Sequence, residues 1–327
     1  MKKIITTQLF VLIGLLAKGQ TNETKLKVSG TVDTYYSTNL FTSSVGTNGV
    51  LSDVKANGFG LGMINTVFTY EQSKTGIVAD LAYGPRANAA NAYNGAINQL
   101  YVYFQPTEKL KLTLGQFNTF YGYEVISPEV NFNYTVSNLF GAGPFSHTGL
   151  RIDYFHSDDV NFMVSVTNPH GITSGSNTTT DEYQLGFQFG FKNQYLNLIY
   201  GADGFGFQDV LYLDYTGGYD FSDSFYLGIN AAYSNSKDAD AGYSGIALYL
   251  QKKFSKVFSA GFRPEYFKTS SNNVETSISA FTFTGNTHLS KNLKLTAELR
   301  YDTSKDIVLI SGKDNVTGFT LASIYTF

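Results

Sequence analysis

Several residue types are missing or scarce in this sequence. Its 327 residues include no Cys, no Trp and only 6 Pro, and charged residues make up 15% of the chain. The absence of Cys excludes disulfide frameworks, thiolate metal sites and cysteine nucleophiles. The formal net charge of −3 gives no basic excess for binding nucleic acid. No apolar stretch reaches the about 18 residues that indicate a membrane-spanning helix.

The abundant residue types are those of a β-protein. There are 32 Gly, 27 Phe and 24 Tyr, and hydrophobic residues make up 43% of the chain, yet the mean hydropathy is only −0.11. Aromatic residues are favoured in strands, and a chain this rich in them is not of the disordered type. The composition leaves open whether the apolar side of the sheet faces a core or lipid.

The first residues have the pattern of a secretory signal peptide. Lys2 and Lys3 precede an apolar run over residues 9–17, and Ala17 and Gly19 are small residues at the −3 and −1 positions before Gln20. This order of basic start, apolar run and small-residue cleavage site predicts a signal peptide in residues 1–19. The mature domain, residues 20–327, then has 20 basic and 26 acidic residues, a net charge of −6. A strand pattern follows almost at once, so we expect no N-terminal plug domain.

From residue 26 onward, apolar and polar residues alternate with a period of two. Leu26 and Val28, for example, fall on one side of an extended chain, and Lys27 falls on the other. This is the pattern of a strand with one apolar face. It predicts sixteen strands, in residues 26–38, 59–70, 76–84, 97–105, 110–117, 147–156, 161–168, 182–191, 195–203, 209–220, 225–235, 243–253, 257–267, 276–288, 293–302 and 314–327. In 59–70 and 276–288 the apolar phase slips, which indicates a β-bulge or a wrong boundary.

Strand length and loop length both favour a membrane barrel. Most of the predicted strands have 9–13 residues, whereas a transmembrane β-strand needs about 9–11 and strands of soluble proteins average about 5–6. Short connections such as 106–109 and 221–224 alternate with long ones such as 39–57 and 268–275. Short turns on one side and long loops on the other are typical of outer-membrane barrels. The expected fold class is all-β, a transmembrane antiparallel β-barrel of about 16 strands, within a range of ~14–18.

The charged residues within the strands indicate which face meets lipid. When the phase of each strand is set from its apolar residues, the mid-strand charges fall on the opposite face. They are Lys27, Asp33, Asp80, Lys111, Arg151, Asp153, Glu182, Asp214, Arg263, Glu265, Lys294, Glu298, Arg300 and Asp302. A Lys or Arg that faced lipid at the midplane would cost about 2–4 kcal/mol. A soluble sandwich with its polar face in water is the alternative, and the signal peptide, strand length and abundance of Tyr favour the barrel.

The last strand also favours the membrane barrel. Phe319, Leu321, Tyr325 and the terminal Phe327 share one phase. A terminal Phe with Tyr two residues before it resembles the C-terminal signal of bacterial outer-membrane proteins. The resemblance implies that the barrel-assembly machinery recognises the chain through Phe327. An ordinary amphipathic strand is the alternative interpretation.

The longest connection, residues 118–146, is unusually apolar for a loop. It carries Phe120, Tyr121, Tyr123, Val125, Ile126, Phe132, Tyr134, Leu139, Phe140 and Phe145. Loops are normally polar and lie in water. We therefore expect this long loop, which follows the fifth strand, to fold into the barrel and pack on the inner wall.

The same loop predicts a charged constriction. It contains Glu124 and Glu129 but no Lys or Arg. Basic residues of the wall that faced it across the pore would create a transverse field, and arrays of charge of this kind set ion preference in pores. The predicted pore-lining or constriction residues are Glu124, Glu129, Lys111, Arg151, Asp153, Arg263, Glu265, Lys294, Glu298 and Arg300. Ordinary salt bridges within the lumen are the alternative interpretation of these charges.

The residues in and around this loop resemble those of a known protein family. The stretches that carry the resemblance are Gly115-Gln116-Phe117, Gly122-Tyr123-Glu124 and Pro144-Phe145-Ser146-His147-Thr148-Gly149. They resemble the β-barrel porin-2 family of Bacteroidetes outer membranes, the OmpL-like porins, and the signal peptide ending in Gly-Gln is similar to those of that phylum. The resemblance is sharpest over residues 110–170. It implies an outer-membrane channel for small solutes and brings no defined substrate or site.

Signatures of catalysis are absent. The sequence has no G-x-S-x-G, H-E-x-x-H or P-loop motif. His156 and Ser157 are adjacent and so fall on opposite faces of a strand. Asp238 and Asp240 could hold Ca²⁺, although a solvated acidic loop is favoured. We therefore expect no enzymatic activity, no cofactor and no metal site.

The expected function is passive diffusion of small hydrophilic solutes and ions through an outer-membrane porin, with a mild cation preference from the net charge. One alternative is a substrate-specific channel, in which Tyr101, Tyr103 and Tyr212 on the lumen phase would stack on sugar rings. Another is a non-conducting structural barrel. The expected partners are outer-membrane lipid, small polar solutes and the assembly machinery. A homotrimer is compatible with a sixteen-stranded porin, although the sequence shows no interface.

Overall fold

The computed structural model describes residues 25–41, 57–90, 95–169, 182–203, 207–310 and 312–327. The predicted signal peptide, residues 1–19, lies outside the described residues. Of the described residues, almost all that have regular structure are in strands, and no helix among them is long and apolar enough to cross a membrane.

Sixteen antiparallel strands form the fold, as the alternation pattern predicts. They are β1 (Lys25–Asn39), β2 (Gly58–Gln72), β3 (Thr75–Tyr83), β4 (Ile97–Thr107), β5 (Leu110–Asn118), β6 (Ser146–Phe155), β7 (Val160–Thr167), β8 (Gln184–Phe191), β9 (Gln194–Gly201), β10 (Val210–Ser222), β11 (Phe225–Ser236), β12 (Ala241–Lys253), β13 (Phe258–Ser271), β14 (Val274–His288), β15 (Leu293–Thr303) and β16 (Asn315–Thr326). Two short helices are described as well, α1 (Pro85–Ala90) and the single turn α2 (Asn138–Gly141).

Each strand pairs with its neighbours in sequence, and β1 pairs with β16, so the sheet is a closed barrel. The closing register runs from Thr31 opposite Thr326 to Asn39 opposite Gly318. Beyond it, Gly30 and Phe327 exchange two backbone hydrogen bonds of 3.0 Å. A Cβ at Gly30 would lie 2.6 Å from the Phe327 ring, so glycine makes room for that ring at the seam. Closure leaves no sheet edge unpaired.

The two faces of the barrel differ as the charge pattern predicts. Large apolar side chains are exposed on the outer face, including Leu26 at 66% and Leu100 at 51%. The charged residues of the opposite phase are buried, with Arg263 at 0% and Glu298 at 2% exposure. In a closed barrel the alternate residues of each strand point inward. The apolar phase therefore faces outward, and the charges face the interior.

The phase slip in 59–70 is a β-bulge. The β1–β2 register shifts between Val32 and Thr34, which oppose Ile64 and Leu61, so β2 contains one extra residue there. The Asp33 carboxylate lies in the gap and accepts a hydrogen bond of 2.9 Å from the Met63 amide. A Cβ at position 62 would overlap this carboxylate, which explains the glycine there.

The slip in 276–288 is not a bulge, because Ile278 and Ala280 lie on the inner phase of β14 and the exposed Phe281 and Phe283 lie on its outer phase. The pairing of β14 with β13 and β15 is regular, and β14 begins at Val274. The long loop expected at 268–275 is also absent, because β13 and β14 meet in a two-residue turn. Asn272 and Asn273 have φ angles of 50° and 63°, the left-handed values that a tight type I′ hairpin turn requires and that Asn adopts readily.

Candidate functional site

The β5–β6 segment, defined here as residues 119–145, packs its apolar side chains on the inner face of the barrel. Its first and last thirds join one cluster, in which Phe120, Tyr121 and Leu139 are buried. The wall residues of this cluster come from β7, β9, β10, β11 and β13. They are Met163, Ile199, Val210, Tyr212, Ala232 and Phe267. Apolar burial of this kind explains why the longest connection is rich in aromatic residues.

Two further clusters hold other residues of the segment. Ile126, Val136 and Phe140 pack with Met63 of β2, Ala82 of β3 and Ala87 of α1. Tyr134 packs with three residues on the strands of the seam, namely Tyr35, Ala322 and Ile324. The three clusters together join the segment to inner side chains on nine of the sixteen strands.

Carboxylates of the wall accept hydrogen bonds from the backbone of the segment. The Glu298 carboxylate accepts from the amides of Tyr134 at 2.9 Å and Thr135 at 3.2 Å. The Glu265 carboxylate accepts from the Leu139 amide at 2.7 Å. A segment without strand partners must pair its backbone amides in some other way, and these wall side chains supply the acceptors.

Cations of the wall donate to backbone carbonyls in the same manner. The Arg263 guanidinium donates to the carbonyl of Thr135 at 2.5 Å, and Arg300 donates to the carbonyl of Val136 at 2.7 Å. The Lys294 ammonium donates to the carbonyl of Glu129 at 3.0 Å. Unpaired buried polar groups are costly, so the wall charges stabilise a segment that has no β-ladder of its own.

Glu124 lies in the middle of this network. Its carboxylate is 2.6 Å from the Arg263 guanidinium, with side-chain exposures of 2% and 0%. It also accepts hydrogen bonds from the amide and hydroxyl of Ser137, at 2.7 and 2.6 Å. The charge of Glu124 is therefore compensated within the packed interior.

Of the ten predicted site residues, five meet in one buried group. These are Glu124, Arg263, Glu265, Glu298 and Arg300, and the Thr135 side chain contacts three of them. Arg300 is also paired with Asp302, at 2.8 Å. The alternation pattern predicts the inward face for the four of these residues that lie on strands, Arg263, Glu265, Glu298 and Arg300.

Two of the other predicted residues lie at the margin of this group. Glu129 and Lys294 form an ion pair of 3.5 Å, and Glu129 is 34% exposed. Glu129 is thus the acidic residue of the segment that keeps substantial exposure.

The last three predicted residues lie elsewhere, on β5 and β6. Arg151 forms hydrogen bonds of 2.7–3.0 Å with the carboxylate of Asp153. The Lys111 ammonium lies 4.3 Å from the centre of the Tyr103 ring. This part of the inner wall is therefore separate from the buried group on β13 and β15.

Sequence reasoning missed three residues that hold the segment. Arg86 of α1 donates to the carbonyl of Ile126 at 2.8 Å, and its guanidinium lies 5.1 Å from the Tyr134 ring. The Tyr134 hydroxyl donates to Asp33 at 2.7 Å, and Asp214 accepts from the Gly122 amide at 3.1 Å. The inward phase of Asp33 and Asp214 was a usable signal, whereas Arg86 lies in a connection with no periodic pattern.

Two cavities flank the segment inside the barrel. The β10–β15 cavity has a volume of about 470 Å³ and is lined by Tyr123, Tyr226, Gln251 and Lys294, among others. The β4–β9 cavity has a volume of about 430 Å³ and is lined by side chains including Tyr101, Lys111 and Arg151. Both contain residues next to the short turns, and the β4–β9 cavity also reaches Phe117 and Asn118 at the opposite end of β5.

Tyrosines dominate one side of the β10–β15 cavity. The rings of Tyr123 and Tyr249 stack with centroids 4.2 Å apart, and the Tyr123 hydroxyl donates to Tyr226 at 2.8 Å. Burial, together with the hydrogen bond to Tyr226, raises the pKa of Tyr123 well above its usual range. This hydroxyl therefore stays neutral, and the cavity offers aromatic faces and neutral hydroxyls.

The described part of the chain contains no group of three or more His, Asp or Glu side chains that could hold a metal ion. His147, which lies beside the segment, has its ring 3.0 Å from the Thr119 hydroxyl and stacks on Phe120. Its surroundings are those of a packed side chain.

Solved structures of outer-membrane proteins have the same fold. OmpT of Vibrio cholerae matches with a TM-score of 0.62 and 12% identity over 94% of this chain and 99% of its own, and it was also solved in a trimer form. The outer membrane channel DcaP of Acinetobacter baumannii matches with the same TM-score, identity and coverage. An anion-selective porin from Comamonas acidovorans matches with a TM-score of 0.62 and 14% identity over 93% of this chain and all of its own.

At the level of sequence, no curated protein matches this chain. A family model does match, over residues 25–327, and its description is "Putative beta-barrel porin-2, OmpL-like". The match covers all the strands of the barrel, and both family and fold are those of a channel rather than of an enzyme. The chain therefore belongs to the OmpL-like porin-2 family and is a β-barrel porin of the bacterial outer membrane.

Proposed function

We propose that the protein is a passive diffusion channel for small hydrophilic solutes and ions. The observation that carries the proposal is the closed sixteen-stranded barrel with apolar side chains outside and charged side chains inside. Barrels of 16–18 strands are wide enough to leave an aqueous channel. Diffusion through such a channel needs no energy source and no cofactor.

The β5–β6 segment sets the width of the pore in this proposal. It is anchored to nine strands through its apolar side chains. The two cavities beside it offer the space through which solutes would pass. Glu129, Lys294, Lys111, Arg151 and Asp153 are then the predicted site residues nearest to the solutes. Glu124, Arg263, Glu265, Glu298 and Arg300 hold the segment in place.

We further propose a mild preference for cations. The mature charge of −6 supports it, and so do two wall carboxylates that are held by neutral donors. Asp80 accepts hydrogen bonds from the amide side chains of Asn65 and Asn98. Asp214 accepts from those of Asn197 and Asn230. Among the described residues neither carboxylate has a cation within 4.0 Å, which leaves a negative potential on the inner wall.

Single-channel recording of the refolded chain in a planar bilayer tests these proposals. We expect discrete conductance steps and, in a KCl gradient, a reversal potential on the cation-selective side. A reversal potential of the opposite sign would contradict the cation preference alone. Liposome swelling with sugars of graded size should show a smooth dependence on size, and a sharp outlier would indicate a substrate-specific channel instead.

A non-conducting barrel is the second candidate function. The observation that favours it is how tightly the segment is packed, since Tyr134, Val136 and Leu139 are each at most 1% exposed. A refolded chain that produces no conductance steps, while a porin control does, would support this candidate and contradict the diffusion channel.

The proposed partners follow from the same architecture. The exposed apolar outer face suits outer-membrane lipid, and the trimer form of OmpT supports a homotrimer here. Residues 1–19 would be removed as a signal peptide, and the barrel-assembly machinery would recognise the chain through Phe327. Light scattering of the detergent-solubilised chain measures the oligomeric state, and a monomer would contradict the trimer.

A further inference from the structure

The β4–β9 cavity contains a cation without an anionic partner. Lys111 and Asp153 face each other across the β5–β6 ladder. The Asp153 carboxylate instead binds Arg151, at 2.7 Å. Among the described residues, no carboxylate lies within 4.0 Å of the Lys111 ammonium, which rests on the Tyr103 ring at 4.3 Å. The cation–π contact holds the ammonium without a direct ion pair, and the hydroxyl of the same ring donates to the Glu71 carboxylate at 2.7 Å.

Arg151 is fixed beside this cation. Two of its nitrogens, Nε and Nη2, bind the Asp153 carboxylate. The guanidinium has five N–H donors, so this pairing leaves others free to face the cavity. Because Asp153 neutralises only one of the two cations, the three groups together carry a net charge of +1. The charged side chains that line the cavity are thus net positive in a barrel whose net charge is negative, while the Asp80 carboxylate lies behind the lining and accepts a hydrogen bond of 3.3 Å from Gln99.

Neutral polar groups in the same cavity also have unused hydrogen-bonding capacity. Among the described residues, the hydroxyls of Tyr101, Thr113 and Tyr195 form no hydrogen bond, and the side-chain oxygen of Asn118 is buried without a partner. A few polar groups with unused hydrogen-bonding capacity, placed among apolar faces, are typical of a ligand site. The rings of Tyr101 and Tyr195 add apolar faces on which a carbon skeleton can rest.

The lining of the other cavity contains two lysines, Lys253 and Lys294, and two carboxylates, Glu124 and Asp220. Lys294 is paired with Glu129, and Glu124 is paired with Arg263. The two cavities have similar volumes of about 470 and 430 Å³, so size does not distinguish them. The difference lies in the balance of the lining charges, which is two cations to one carboxylate in the β4–β9 cavity and two lysines to two carboxylates in the other.

We propose that the β4–β9 cavity is a binding site for a small organic anion, a carboxylate that the porin retains on its way through the barrel. The carboxylate contacts the Lys111 ammonium and the free N–H groups of Arg151, and its carbon skeleton lies against Tyr101 and Tyr195. Charge-assisted hydrogen bonds are the strong ones in such a site. The proposal rests on the proposed function, because the solute reaches this cavity through the lumen.

Isothermal titration of the refolded full chain in detergent tests the site, with succinate as the probe. Erythritol, which has the same number of carbons and no charge, is the control for size, and inorganic phosphate is the control for charge without a carbon skeleton. We expect succinate to bind more tightly than either. In the variant Lys111→Gln, the affinity for succinate should fall about tenfold, since one charge-assisted contact is lost.

Lys27→Gln is the matched control variant. Lys27 is also an inward-phase lysine near the short-turn end, but it lies on β1, away from this cavity. Equal losses of affinity in Lys27→Gln and Lys111→Gln would overturn the site in favour of a general field effect. Binding of erythritol or phosphate as tight as that of succinate would overturn the ligand class. Conductance recorded on the same samples keeps the two proposals apart, because a chain that conducts without binding succinate contradicts only this inference.

Discussion

The inner wall on β13 and β15 and the inner wall on β5 and β6 use the same residue types for different purposes. On β13 and β15, Arg263 and Arg300 donate to backbone carbonyls of the β5–β6 segment and are at most 1% exposed. On β5 and β6, Lys111 and Arg151 face a cavity, and Arg151 is 27% exposed. The comparison shows that a charge on the inward phase of a barrel strand can be buried against the segment or can face a cavity. The groups that the charged side chain contacts across the lumen decide between these two arrangements.

Removal of the β5–β6 segment should have the largest effect. If residues 119–145 are replaced by a short Gly-Ser linker, the buried charges on β13 and β15 become water-exposed and resemble those on β5 and β6. We expect the single-channel conductance to rise severalfold, because the segment occupies much of the interior. An unchanged conductance would show that the segment does not limit the pore.

Loss of one arginine on each wall should separate the two roles. Arg263→Met leaves the buried Glu124 carboxylate without its cation, and breaking a buried pair in this way costs about 3–5 kcal/mol. Arg151→Met, the matched control, removes a partly exposed pair and should cost about 1 kcal/mol or less. Urea unfolding of the two refolded variants measures the difference. Equal losses of stability in Arg263→Met and Arg151→Met would mean that the two arginines contribute equally and that the two walls do not differ in this respect.

A milder change tests the wall carboxylates that accept hydrogen bonds from the backbone of the segment. Glu298→Gln removes the charge of the carboxylate that accepts hydrogen bonds from the amides of Tyr134 and Thr135. We expect the free energy of unfolding to fall by about 1–3 kcal/mol. Hydrogen exchange at these two amides should become faster. Glu129→Gln, at a partly exposed position, should leave both amides unchanged, and faster exchange there would contradict the assignment.

The smallest effect concerns ion selectivity. Glu129→Gln removes the exposed acidic charge of the segment and should lower the cation preference, seen as a small shift of the reversal potential in a KCl gradient. Glu124→Gln should leave selectivity nearly unchanged, because Arg263 already compensates that charge. If neither variant, nor the two combined, shifts the reversal potential, the segment has no role in selectivity.

The strand order, the two faces and the bulge near Gly62 were predictable because lipid imposes a local rule. Every second residue of a strand must be apolar, so the pattern can be read from neighbours in the sequence. The rule fails where both phases tolerate the same residues. In β14, Ile278 and Ala280 lie on the inner phase and Phe281 and Phe283 on the outer phase, so the apolar phase slips although the pairing is regular.

The contacts of the β5–β6 segment had no comparable signal. Glu124 and Arg263 lie 139 positions apart, and no period in the sequence connects a loop residue to a wall residue. The sequence predicted that both would lie in the lumen, but not that one would neutralise the other. The role of Arg86 was equally hidden, since nothing local indicates that an arginine in a loop will donate to the carbonyl of Ile126.

The seam between β1 and β16 has a consequence for assembly. Every other strand pair joins neighbours in the chain, whereas this one joins the first described strand to the last. Contacts between residues far apart in sequence carry the largest loop-closure entropy and form slowly. Until they form, two rows of unpaired backbone groups remain, which hydrocarbon does not tolerate. Insertion into the bilayer and closure of the seam must therefore proceed together, with the pairing of β1 and β16 as the step that completes both.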